Sequence, residues 1–157
     1  MSRLMALSTV TGVLCGIWVQ ICVSTALGLI GWAGFAGCTT YFASGKHGAE
    51  GFFTAIRQNM FVVLCASIII WSSGILTFTG AVGFFSGLLT FVMCIGGKSK
   101  YLAFIPGTFV GGFSTFAASG DYLGLIISLL LGAALGVACD LGGGLFYDKF
   151  GKAEVKE

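Results

Sequence analysis

The sequence predicts an all-α membrane protein with six transmembrane helices and both termini in the cytoplasm. Only 9% of the residues are charged and 57% are hydrophobic, against about 25% charged residues in a soluble domain. So little charge cannot cover a surface facing water, and a bilayer is the solvent that fits. Four stretches carry no Asp, Glu, Lys, Arg or His: Leu4–Gly45, Gln58–Gly97, Tyr101–Gly120 and Tyr122–Cys139, of 42, 40, 20 and 18 residues. A spanning helix takes about 20 residues, so these read as two, two, one and one spans. With that count all eight Lys and Arg residues fall on one side. Arg3 lies in the N-terminus, Lys46 and Arg57 in the 44–57 loop, Lys98 and Lys100 in the 96–100 loop, and Lys149, Lys152 and Lys156 at the C-terminus. Asp121 sits opposite. This positive-inside pattern fails if the count shifts by one.

In chain order, the first span is Leu7–Leu27. Arg3 before an apolar run resembles a signal peptide, but the run outlasts the usual 7–15-residue apolar region, so it reads as a retained helix. The Ser24–Gly31 stretch STALGLIG is the first turn, and Leu29–Ala43 follows as a short span, tilted, broken or partly re-entrant. In the loop to the third span, Phe52, Phe53 and Ile56 recur at helical spacing and predict a short interfacial helix. Gln58–Leu76 is the third span, Thr77–Gly80 (TFTG) its turn, and Ala81–Ile95 the fourth span. Tyr101–Ala118 and Tyr122–Phe146 complete the set. Residues 1–147 thus form one transmembrane domain, and 148–157 a short charged cytoplasmic tail. Trp18, Trp32 and Trp71 fit interfacial anchoring.

The segment Phe104–Asp121 holds the only proline, Pro106, with Gly107, Gly111, Gly112 and the hydroxyls Thr108, Ser114, Thr115 and Ser119. It has an earlier echo. GFAGCTTYFASG at Gly34–Gly45 aligns with TFVGGFSTFAASG at Thr108–Gly120 once one residue is inserted. Phe35 matches Phe109, Gly37 matches Gly111, Thr40 matches Ser114 and Phe42 matches Phe116. The copies fall in the second and fifth spans, an odd number apart, so they cross in opposite directions. The halves, about 5–77 and 79–147, then read as inverted three-helix repeats of the kind that place a solute path at their interface. Inside a helix Pro106 would free the carbonyl one turn earlier. The alternative is that the glycines serve helix packing alone, as the GxxxG pairs Gly12/Gly16, Gly83/Gly87 and Gly132/Gly136 are expected to do.

GWAGFAGCTTYFASG, VMCIGGKSKYLAFIPGTFVGGFSTFAASGDY and TGVLCGIW together resemble the bacterial inner-membrane family of unknown function that includes YcdZ. The resemblance runs over nearly the whole chain and is strongest at Trp32–Phe42 and Phe104–Tyr122. It implies a small multi-pass protein of the bacterial inner (plasma) membrane. It brings no catalytic or binding residues with it.

No catalytic residue is expected and the chain does not read as an enzyme. His47 stands in a loop beside Lys46 and reads as a solvated histidine. Cys15, Cys22, Cys38, Cys65, Cys94 and Cys139 have no metal-ligand spacing and read as small buried hydrophobes, so neither a metal nor a cofactor is expected. The scattered basic residues offer no track for nucleic acid. Asp140 is the one acid at membrane depth. It lies roughly 27 Å along the last helix from Tyr122, close to the cytoplasmic interface. Gln20, Gln58 and Asn59 are further polar residues in apolar helices. Lacking a buried charge pair, the chain suits a channel or facilitator for a small neutral or weakly ionised solute. Thr39, Thr40, Thr108, Ser114 and Thr115 would line its path, Phe35 and Phe109 would constrict it, and Pro106 would interrupt its helix. Lipid and the solute are the expected partners, and the glycine faces allow a homo-oligomer. The rival reading is a non-transporting membrane interaction or assembly protein.

Overall fold

The computed structural model describes residues 1–76 and 78–151. Thr77, in the second expected turn, and residues 152–157 of the expected tail lie outside the described residues. Six helices and no strand occur among the described residues: α1 Arg3–Ser24, α2 Gly31–Ala43, α3 Gly48–Ile75, α4 Ala81–Gly96, α5 Ile105–Ala117 and α6 Tyr122–Phe150. The helices α1, α3 and α6 are long and apolar enough to cross a membrane, and α4 is a shorter apolar helix.

Length divides the helices into two kinds. At 28 and 29 residues, α3 and α6 reach about 42–44 Å, beyond the ~30 Å hydrocarbon core. At 13 residues each, α2 and α5 reach only about 20 Å. Each short helix lies along a long one. The α2 helix runs parallel to α6: Ile30 meets Ser128, Gly37 meets Leu129 and Ala133, and Tyr41 meets Gly136 and Asp140. The α5 helix follows α3 in the same way, with Tyr101 at Gln58 and Gly111 at Asn59 and Val62. The long helices are antiparallel: Ala55 of α3 clusters with Ala133 of α6, and Val63 with Leu125 and Leu129. The α1 helix packs on α6, where Leu7 lies against Gly143 and Val10 against Gly142. The α4 helix packs on α3 through Ala81, Phe85, Leu89 and Met93.

Glycine permits the closest of these approaches. A Cβ on Gly37 would strike the Leu129 carbonyl, and one on Gly132 the Gly34 carbonyl. Gly45 and Gly120 are the last residues of the echoed segments, at φ +66° and +103°, a left-handed geometry that glycine adopts without penalty.

Several expectations are corrected. Pro106 does not interrupt a helix; it sits in the first turn of α5, where its missing N–H would have had no intrahelical partner. The expected span from Tyr101 therefore begins at Ile105, and α5 is as short as α2. Counting apolar residues could not reveal this, because Tyr101–Phe104 are as apolar as the helix they precede. Residues 48–57 form no separate interfacial helix but continue into α3, with Gly51 tucked against the Lys46 carbonyl and the Tyr41 ring. The last helix runs to Phe150, past the expected end of its span at Phe146. Trp18 is buried and donates from Nε1 to the Gly31 carbonyl at 2.9 Å, so it packs inside the bundle. Of the GxxxG pairs, Gly132/Gly136 packs as expected. A Cβ on Gly12, Gly16, Gly83 or Gly87 would meet nothing.

Candidate functional site

A polar core forms where the two short helices meet. Thr40 of α2 touches the Gly107 position of α5, where a Cβ would lie 3.0 Å from Thr40 Cγ2. Thr40, Thr108, Ser114 and Thr115 are all fully buried. Three of these hydroxyls turn their protons back onto their own helices: Thr40 to Ala36 O at 2.9 Å, Thr108 to Ile105 O at 2.7 Å and Thr115 to Gly111 O at 2.7 Å. The lone pairs of Thr108 and Thr115 stay available. Ser114 Oγ has no partner.

Gln58 and Asn59 complete the core, each 1% exposed. The Asn59 amide meets Thr40 Oγ1 at 3.2 Å with one end, and its other end is unpartnered. Gln58 donates from Nε2 to the Tyr101 carbonyl at 3.3 Å, and its Oε1 has no partner. The adjacent amides are the site residues that sequence reasoning left out of the path. Their one signal was a pair of polar residues in an otherwise apolar helix.

The other expected path residues lie elsewhere. Phe35 and Phe109 are 37% and 45% exposed, and Thr39 is exposed. On α2 the inward face is Ala33, Gly37, Thr40 and Tyr41; Phe35 and Thr39 fall outside it by helical geometry. They line an open cleft between α1 and α2 beside Thr11 and Cys15, and Phe109 lines another beside Ser86 and Met93. A constriction by these rings needs a neighbouring molecule. Pro106 is exposed at the start of α5.

Asp140 stands apart from this core. Its Oδ2 accepts from the Tyr41 hydroxyl at 2.7 Å and from His47 Nδ1 at 2.8 Å. The Tyr41 oxygen in turn accepts the Gly48 N–H at 2.8 Å. His47 is therefore not merely solvated: its ring is exposed, yet it closes onto a carboxylate 93 residues away. Arg3 and Asp148 line the same depression as His47 and Asp140.

A second depression, about 260 Å³, opens at this end of the bundle. Lys46, Arg57, Gln58, Lys100 and Tyr101 line it. Together the two depressions bring the start of α1, the 44–47 connection, the 98–104 connection and the last turns of α6 to one end. Among the described residues no three His, Cys, Asp or Glu side chains gather as a metal site, and the six cysteines are free.

The family described as "Protein of unknown function (DUF1097)" matches residues 8–144. The chain is 39% identical over 139 residues to Inner membrane protein YcdZ of Escherichia coli (strain K12), covering 88% of this chain and 84% of that protein. It is 38% identical over 139 residues to Inner membrane protein YcdZ of Salmonella typhimurium (strain LT2), covering 88% and 86%. No solved structure matches. The family match spans the polar core, the basic depression and all six helices but the start of α1 and the end of α6, so this chain belongs to the DUF1097 family and is an integral inner-membrane protein.

Proposed function

We propose that the protein is a facilitator or channel for a small neutral or weakly ionised solute. The chain crosses the membrane six times in two inverted halves, α2 and α5 together with the connections before them making two of the crossings, with both termini in the cytoplasm. The observation that carries the reading is the set of unpartnered polar atoms in the core: one end of the Asn59 amide, Gln58 Oε1 and Ser114 Oγ. Each costs about 1–3 kcal/mol when left buried without a partner, and lipid offers none. A passing solute with a donor and an acceptor relieves them in turn.

The inverted halves are supported by burial. Residues 31–42 and 105–116 share one order of buried, half-buried and exposed positions, except that Phe42 is half-buried and Phe116 exposed. In the long helices the buried set Thr54, Ala55, Gln58, Asn59, Val62, Val63, Ala66, Ile69 recurs with a constant shift of 70 residues, from Gly124 to Cys139. The same shift carries the Gly111–Asn59 contact close to Gly37–Leu129. Packing agrees, since α2 lies on α6 and α1 beside it as α5 lies on α3 and α4 beside it. Short paired helices at a midplane crossing are the transporter arrangement in which solute sites form. The cytoplasmic assignment of the termini is supported by the charges: every described Lys and Arg belongs to segments at the end holding both depressions.

The test is stopped-flow uptake into proteoliposomes across small amides, acids, alcohols and water. The expected result is permeability above empty liposomes for at least one solute, and none for any of them contradicts the proposal. One observation favours the non-transporting assembly reading: Gly12/Gly16 and Gly83/Gly87 present open faces on α1 and α4. It predicts that Gly12→Leu or Gly83→Leu releases a partner that co-purifies at fixed stoichiometry.

A further inference from the structure

We infer that the basic depression between α3 and the 98–104 connection receives the anionic form of a small carboxylic acid, which then enters the path as the neutral acid. This rests on the path proposed above and names its solute class. Three cations line the depression, and Lys46 is already held by Glu50 at 2.7 Å. Arg57 and Lys100 have no acid within salt-bridge distance among the described residues. Both stack on one ring, Arg57 Cζ at 5.5 Å and Lys100 Nζ at 5.3 Å from the Tyr101 centroid. Both cations are exposed at the depression, so a small oxyanion can reach them from solvent and accept charge-assisted hydrogen bonds. At about 260 Å³ the space is below the usual range for drug-sized ligands, so it takes a molecule of a few heavy atoms.

The chemistry changes sign one step inward. Gln58 is buried at the depression's floor, and its unpartnered Oε1 can accept an O–H. Asn59 follows it on α3 and meets Thr40, and the buried polar set, with Thr108, Ser114 and Thr115, contains no charge. A group that stays ionised would be stranded at the mouth. A carboxylate accepts one proton from hydronium in the solvent, leaving water, and the resulting neutral acid carries the O–H donor that Gln58 and Asn59 can use. Nothing is oxidised or reduced. The other source of anionic oxygens is a lipid headgroup phosphate, which could sit at the mouth but could not follow this route.

The test uses the full chain in neutral detergent, with acetate binding at pH 7 read by saturation-transfer NMR. Arg57→Gln with Lys100→Gln should weaken acetate binding by about tenfold or more. Lys98→Gln with Lys149→Gln should leave it unchanged. Equal acetate binding in all three proteins overturns the proposal. So does displacement of acetate by glycerophosphate at much lower concentration, which reassigns the mouth to lipid. In proteoliposomes the Arg57/Lys100 variant should slow acetate and leave acetamide unchanged; slowing both alike also overturns it. If neither solute crosses with the unmodified protein, the path fails, while the binding result still decides the anion site.

Discussion

The phenol of Tyr41 and the carboxylate of Asp140, 99 residues apart in sequence, are joined by a hydrogen bond of 2.7 Å. Because the same phenol oxygen takes the Gly48 N–H, the end of α2, the start of α3 and the last third of α6 are tied at one atom. Tyr41 is fully buried and Gly136 lies under its ring. Tyr41→Phe keeps the ring, leaves the Gly48 N–H without its acceptor and takes one of two donors from Asp140, so stability should fall by about 1.5–3 kcal/mol, the range for a hydrogen bond to a charged group. His47→Gln, at an exposed ring, should cost less. Unfolding of the two variants in one detergent compares them.

Glycine at the α2–α6 contact should be irreplaceable, unlike glycine on the outer helices. Gly37→Ala and Gly132→Ala each drive a methyl into backbone, an overpacking that costs about 1–3 kcal/mol or more. Gly12→Ala should stay within about 0.5 kcal/mol. Thermal unfolding of the three variants separates packing from composition.

Asn59→Leu should divide stability from transport. One end of the amide is unpartnered, and Thr40 keeps its bond to Ala36 without it. Leucine has the branched outline of asparagine without its polar atoms, so stability should hold or rise. Solute flux should drop to the empty-liposome level. A variant that is stable and still conducts would remove Asn59 from the path.

Pro106→Ala should be nearly silent. A proline inside a helix costs about 3 kcal/mol, whereas here it begins one. A change in stability beyond about 1 kcal/mol would place it in a strained interior after all.

Much of this architecture is legible in the sequence, for reasons that also mark its limits. The spans α1, α3 and α6 follow from uncharged length, and the basic end from the spacing of Arg3, Lys46, Lys100 and Lys149. The echo of Phe35–Phe42 in Phe109–Phe116 marks two related helical segments, although the expected spans there, 29–43 and 101–118, differ in length while α2 and α5 are both 13 residues. The side of the helix each residue occupies does not follow from the echo. Thr40 and Ser114 point inward while Phe35 and Phe109, within one turn and a half, point out. Hydropathy does not reveal that Tyr101–Phe104 precede a helix, since loop and helix are equally apolar there. The His47–Asp140 pair was out of reach because 93 residues separate its members and only the fold brings them together.

The proposed path requires two short helices that enter from opposite faces and cross at Thr40 and Gly107. Single cysteines at Thr25, Lys46, Ser99 and Ser119, in a background whose native cysteines are alanine, bracket both helices. An impermeant maleimide applied to intact cells should label Thr25→Cys and Ser119→Cys, and leave Lys46→Cys and Ser99→Cys unlabelled until the membrane is opened. If Lys46→Cys and Ser119→Cys label from the same face, the two short helices thread in the same direction and the shared path between them does not exist.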